Sequence, residues 1–254
     1  MNLREKLDFH YKAFDKSKLE PDPLQFLHLF NEELDVEVMG FIASIFAYGN
    51  VKQIITTLNK FVEVSKGKPY NFIRTFNEKT KPGISHRFYT KRDVIHLFLA
   101  LNKTYESFGS LKKLFLSFYN PDEINLKSSI TKFSNYFLNE ISKRKRTMTR
   151  GIKFMFPLPE KGSACKRMNL FLRWMIRKDE LDFGIWNEIP SSKLIIPADT
   201  HVARICQSLG LTNRKIPDWK MAEEITENLK KYDPIDPVKY DFAICHIGMR
   251  KLEF

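Results

Sequence analysis

The first feature of this sequence that could do chemistry is an acid at the start of a helix. Asp199 follows the apolar, proline-containing stretch Leu194-Ile195-Ile196-Pro197-Ala198 and precedes Thr200-His201-Val202-Ala203-Arg204-Ile205, whose spacing is that of an amphipathic helix. Two readings of Asp199 stand side by side. It can be an N-cap that accepts hydrogen bonds from the first free helix amides. It can also be a carboxylate at the edge of a site, stabilising a developing positive charge or taking a proton. His201, two residues on, belongs to the helix scaffold rather than to proton transfer, and His246 lies on an apolar helix and reads as core.

The second feature is charge. Between Ile141 and Lys178 stand twelve Lys or Arg and one acid, Glu160, a local net of +11 in a chain whose 42 basic and 30 acidic residues leave +12 overall. The run is Lys143-Arg144-Lys145-Arg146, then Arg150, Lys153, Lys161, Lys166, Arg167, Arg173, Arg177 and Lys178, with Phe154, Phe156, Phe171 and Trp174 interleaved. Such a surface binds polyanions through counterion release, so the expected partner is nucleic acid. A solvated face that only aids solubility is the other reading. Pro157 and Pro159 interrupt the stretch and argue against a helix lying on a membrane.

The elements that must hold these groups read as helices. The chain has 254 residues, 43% of them hydrophobic and 13% aromatic, with 22 Phe and only 10 Gly, which suits a packed helical domain or two closely packed lobes. Asp22-Pro23 looks like a cap and first helical position for a helix to about Glu33. Asp35 could cap the next, with Val38, Phe41, Ile42, Ile45 and Phe46 on one stripe and Gly49 closing it. Further helices are expected over 51–64, 91–105, 110–119, 126–142, 163–178, 200–209, 218–230 and 237–248, with one short helix in the looser stretch 66–90 and a proline-containing connector over 151–162. Only Leu194-Ile195-Ile196 has strand character, so the fold class is all-α. The first and last thirds can pack as one lobe and the middle, about 35–150, as the other. No apolar run is long enough to span a bilayer, and Met1-Asn2-Leu3-Arg4-Glu5-Lys6 lacks a secretory signal, so a cytoplasmic protein is expected. Cys165, Cys206 and Cys245 are too few and too far apart for a disulfide framework or a four-thiolate metal or iron–sulfur site.

The segment Asp199-Thr200-His201-Val202 resembles the signature of the helix-hairpin-helix, Gly/Pro-rich-loop, Asp superfamily of DNA glycosylases. Ahead of it, Leu158-Pro159-Glu160-Lys161-Gly162-Ser163-Ala164-Cys165-Lys166-Arg167-Met168-Asn169 resembles that superfamily's hairpin and the helix after it. The resemblance implies a two-lobed helical bundle with a cleft between the lobes, no cofactor, Lys166 as nucleophile and Asp199 as catalytic acid group. It puts Asn169 one turn beyond the nucleophile, and Lys161 and Gly162 in the hairpin that grips a DNA phosphate. Here one glycine stands where that hairpin usually has two, and two residues are inserted. The Lys166-to-Asp199 separation of 33 positions is closest to the archaeal 8-oxoguanine glycosylases. Along its whole length the chain is also similar to a bacterial family of uncharacterised proteins. Met39–Asn50 is similar to the glycosylases' first core helix and its polar turn, which makes Tyr48 and Asn50 candidates to fill the gap left by an extruded base. Both also fit structural roles, Tyr48 in the core and Asn50 at a helix end.

These expectations combine into one reaction class. A neutral Lys166 would attack C1′ of a damaged nucleotide in double-stranded DNA, form a Schiff base and permit strand cleavage. Burial and the neighbouring cations Arg167 and Arg173 would lower its pKa. Lys143, Arg144, Lys145, Arg146, Arg150, Lys161, Arg167 and Arg173 would hold phosphates, with His201 beside them. An oxidised purine such as 8-oxoguanine is the expected target. A non-catalytic nucleic-acid-binding protein of the same fold, or an RNA binder, is the alternative.

Overall fold

The computed structural model describes residues 1–144, 148–252 and 254. Among these the chain is all-α, and its only β pairing is three isolated bridges, His86–Tyr89, Ser163–Asp218 and Lys178–Phe183. The α-helices are, in order, α1 (Leu3–Ala13), α2 (Glu33–Phe46), α3 (Val51–Val64), α4 (Pro69–Arg74), α5 (Lys91–Phe108), α6 (Leu111–Leu116), α7 (Lys127–Ser142), α8 (Arg150–Met155), α9 (Lys166–Ile176), α10 (Thr200–Ser208), α11 (Trp219–Lys230) and α12 (Asp241–Arg250). No helix among the described residues is long and apolar enough to cross a membrane.

The chain divides into two compact units. One is Met1–Leu19, Pro121–Lys127 and Leu158–Phe254; the other is Glu20–Asn120 and Ser128–Pro157. In the second unit α2 is the organising element, because every residue from Val36 to Phe46 is buried and not just the expected stripe. A helix apolar on all sides can lie only in the middle of a core. Phe41 stacks on Phe137 at 5.3 Å and meets Phe133 edge-on at 6.0 Å, while Phe61, Phe72 and Phe76 surround Phe98 on α5. Buried among these apolar residues is the charged Glu37, whose carboxylate accepts from the Tyr105 hydroxyl (2.8 Å) and from the Leu111 and Lys112 amides (2.8 and 2.9 Å), so it satisfies the start of α6 from another helix.

Several local expectations change. Asp22 does cap, accepting from the Leu24 amide at 2.8 Å, but the turn that follows is a 3-10 helix over Pro23–Leu29. Asp35 is not a cap: Glu32 holds that position, and Asp35 instead accepts from the Tyr70 amide at 2.8 Å, docking the start of α4. α1, begun by an Asn2–Glu5 capping box, adds a helix that was not expected, and α8 overlaps the start of the expected connector. Leu194, Ile195 and Ile196 are buried without forming a strand. The insert Pro121–Lys127 is held in the first unit by Lys193, whose Nζ donates to the Pro121 and Glu123 carbonyls, and by Asn125, which donates to Glu223 at 3.1 Å.

The first unit is threaded by buried ions. Arg177 bonds Asp236 through Nε (2.8 Å) and Asp179 through Nη2 (2.9 Å), and its Nη1 meets Asp182. Asp182 also accepts from Arg173 (3.2 Å), whose Nη1 meets Asp241. Asp182 is fully buried and shared by two guanidinium groups, so removing it strands two buried cations. Asp182→Ala is expected to lower unfolding stability by about 3–5 kcal/mol in urea denaturation followed by circular dichroism. A loss below about 1 kcal/mol would show that the arginines find water or other partners.

Candidate functional site

Lys166 is the first residue of α9 and Asp199 caps α10, and the two side chains meet. Lys166 Nζ donates to Asp199 Oδ2 at 2.6 Å. The other oxygen, Oδ1, accepts from the His201 and Val202 amides at 2.9 and 3.0 Å. Asp199 is therefore an N-cap through Oδ1 and the partner of an amine through Oδ2. The cap fixes the carboxylate, and the fixed carboxylate holds the amine. The pair is partly open to solvent, with 30% of the Lys166 and 18% of the Asp199 side chain exposed.

The approach to Lys166 is built differently from a two-glycine hairpin. Pro159–Lys161 forms one 3-10 turn, closed by Gly162 in the left-handed region (φ 83°), and the Gly162 carbonyl accepts from the Trp219 amide at 3.2 Å. Cys165, immediately before α9, is also left-handed (φ 47°), an uncommon conformation for a residue with a Cβ. The turn is clamped: the Cys165 amide donates to Ser163 Oγ (3.2 Å), and Asn169 Nδ2 donates to the Ala164 carbonyl (3.0 Å). Asn169 is buried, and this bond braces the turn. Burial pushes the Cys165 thiol up to about 12, against the pull of Ser163 and Arg167, so it stays a thiol at neutral pH.

Electrostatics at the pair run opposite to the expected direction. Burial alone would lower the Lys166 pKa, but the Asp199 charge, with Cys245 and Asp241 acting the same way, raises it to about 12. Burial would raise Asp199; the Lys166 ammonium, their shared hydrogen bond and the Val202 amide hold it below the ordinary carboxylate value. Arg167 and Arg173, expected to depress the lysine and to hold phosphates, are buried, and Arg173 is committed to Asp182 and Asp241. Asp241, the first residue of α12, is the group that sequence reading missed. It is fully buried, Oδ1 has no hydrogen-bond partner among the described residues, and burial pushes its carboxyl up to about 6 against the opposing charge of Arg173.

The other expected contacts separate by exposure. Lys161 and Gly162 are exposed in the first unit. In the second, Arg150 is exposed, Lys143 is exposed beside Glu140, and Arg144 is exposed 3.6 Å from Glu78. Lys145 and Arg146 lie outside the described residues. Asn50 caps α3, accepting from the Lys52 amide at 2.9 Å, and stays exposed. Tyr48 is half-buried, and its hydroxyl donates to the His86 carbonyl at 3.0 Å. His201 packs against Gly248, where a Cβ would lie 3.0 Å from its own Cβ, so it sets the close approach of α10 and α12. His246 is buried against Phe242, with ring centroids 4.0 Å apart. Among the described residues no group of three or more His, Cys, Asp or Glu is placed to hold a metal ion.

The pair makes a definite pH prediction. Asp199 is lowered from 3.8 and Lys166 raised from 10.5 in the folded state, so the pair's stabilisation is fully present between those values. It is lost as pH falls through the folded Asp199 value or rises through about 12. With lysines 13C-methylated, the Lys166 resonance should titrate above the exposed lysines. In Asp199→Asn it should fall below them, because burial then prevails. An unchanged Lys166 titration in that variant would show that the pair does not form in solution.

The profile of the family described as "Protein of unknown function (DUF2400)" matches residues 22–250. No curated protein and no solved structure matches the chain. The match takes in α2 to α12 and both members of the Lys166–Asp199 pair, and the chain belongs to the DUF2400 family.

Proposed function

We propose that this protein is a DNA base-excision glycosylase with β-lyase activity, acting in the cytoplasm on an oxidised purine such as 8-oxoguanine. Its helices would follow the two-lobed helix-hairpin-helix plan. The observation that carries the reading is the 2.6 Å bond between Lys166 and Asp199, 33 positions apart and each at the start of a helix. An amine and a carboxylate so placed are what the reaction needs, and the resemblance of both flanking segments to the glycosylase superfamily points the same way.

The resting pair is not the reactive form. With a pKa near 12, only about one Lys166 in 10^5 is neutral at pH 7. The lysine proton passes to Asp199 along the bond they share. The freed lone pair attacks C1′ of the extruded nucleotide. The electrons of the C1′–N9 bond leave with the base, which takes the proton from Asp199. One proton of the attached amine moves to O4′ as the C1′–O4′ bond opens, leaving a protonated Schiff base; a water then takes the C2′ proton as the C3′–O3′ bond breaks and the 3′ phosphate leaves. The restored Asp199 carboxylate lies beside the positive charge through these steps.

Two observations favour a second reading, a non-catalytic nucleic-acid binder. Lys166 is held as an ammonium, and three of the expected contacts, Arg167, Asn169 and Arg173, are buried. Borohydride trapping on duplexes carrying 8-oxoguanine or an abasic site separates the two. The glycosylase reading expects a covalent adduct that Lys166→Gln abolishes, and base release that falls at least 100-fold in Asp199→Asn. If the native chain gives neither adduct nor base release, the binder remains.

A further inference from the structure

The second unit carries an aromatic ridge roofed by arginines, and its exposed ring, Phe154, has no part in either reading above. Phe154 on α8 is 40% exposed, and its ring stands 5.0 Å from Tyr48 and 5.1 Å from Phe88, edge-on to both. Arg87 lies over the Tyr48 ring at 5.2 Å and Arg150 over the Phe88 ring at 5.2 Å. Arg87, Arg150 and Lys153 are all exposed. Asp93, which lies against this segment, is buried and accepts from Thr90 and Thr149 (2.8 and 2.7 Å), so its charge is turned away from the surface.

The ridge is built to hold that form. Arg87 sits in the left-handed region (φ 52°), a strained conformation for a residue with a Cβ. Its side chain crosses Gly49 (φ 93°), where a Cβ would come within 2.5 Å of Arg87 Nη1 and push the guanidinium off its place. Gly151 does the same for α8: a Cβ there would lie 2.8 Å from Asp93 Oδ2 and 3.3 Å from the Phe88 carbonyl. The helix that carries Arg150 and Phe154 is thereby seated against the segment that carries Arg87 and Phe88.

We infer that this ridge is a stacking platform for an unpaired base of a single-stranded nucleic acid, with Phe154 under the base and Arg87, Arg150 and Lys153 on the flanking phosphates. An exposed ring attracts any apolar partner, but one ringed by exposed cations selects a polyanion with flat faces of its own. In a duplex the base faces are covered, so the partner is single-stranded. Guanidinium planes already laid on rings extend the flat surface and keep their N–H edges for phosphate oxygens.

The test is equilibrium binding of labelled, undamaged dT12 and rU12 to the full chain by fluorescence anisotropy. Phe154→Leu keeps the apolar bulk and should weaken binding about tenfold, Phe154→Tyr should restore it, and Arg87→Gln should weaken it and flatten the salt dependence. In Phe154→Trp the indole emission should be quenched by the oligonucleotide. Tighter binding of one strand type names the natural source, and equal binding leaves the shared stacking chemistry standing. The inference is overturned if Phe154→Leu binds like the native chain, if the Trp emission is unchanged at saturation, or if polyglutamate competes as well as dT12. Because the strands are undamaged and no bond is broken, the outcome is independent of the Lys166 reaction.

Discussion

The division of labour between the two oxygens of Asp199 governs everything proposed for the first unit. A carboxylate that only capped α10 would leave the half-buried Lys166 without a counter-charge in contact, which is costly. A carboxylate that only paired with the lysine would leave the first amides of α10 unsatisfied and its own orientation free. Making both bonds, the side chain locks the start of α9 to the start of α10. The strained Cys165 and the clamp from Asn169 then set where the amine emerges.

Beneath that pair the structure places a chain of alternating charges, from Asp236 through Arg177, Asp182 and Arg173 to Asp241. Buried ions of this kind add little net stability compared with apolar packing, but they are intolerant of losing a member. Their consequence here is electrostatic. Asp241 has one oxygen committed to Arg173 and one without a partner among the described residues, and its charge acts on both Lys166 and Asp199. The lysine is thus tuned by carboxylates at two depths, one in contact and one behind. Arg173, expected to lower the lysine, has its own charge met by Asp182 and Asp241, and the carboxylates prevail at Lys166.

The second unit follows a different logic. Its core is aromatic and centred on α2, and its distinctive surface is the ridge where a turn, 86–89, and a short helix, α8, bring rings and arginines together. Tyr48 lies inside that ridge and not at a free tip. Its hydroxyl is bonded to the His86 carbonyl and Arg87 lies over its face, so the exposed ring of the ridge is that of Phe154.

By itself the sequence determined the helices whose apolar residues recur at helical spacing. α3 runs over the expected 51–64, and α5, α7 and α11 lie close to their expected spans, because periodicity and capping are local properties. It also marked Asp199 as a helix start and the segment 141–178 as the seat of the charge. It did not show α1 or α8, which are too short or too polar to stand out, nor the placing of Pro121–Lys127, which rests on Lys193 and Asn125. Only the tertiary structure decided which cations face water: Lys161 and Arg150 do, while Arg167, Arg173 and Arg177 turn inward. The reason is physical. A basic residue's composition and spacing are the same whether its partner is solvent or a carboxylate 68 positions away, as Asp241 is from Arg173, and only the folded chain brings that carboxylate within reach.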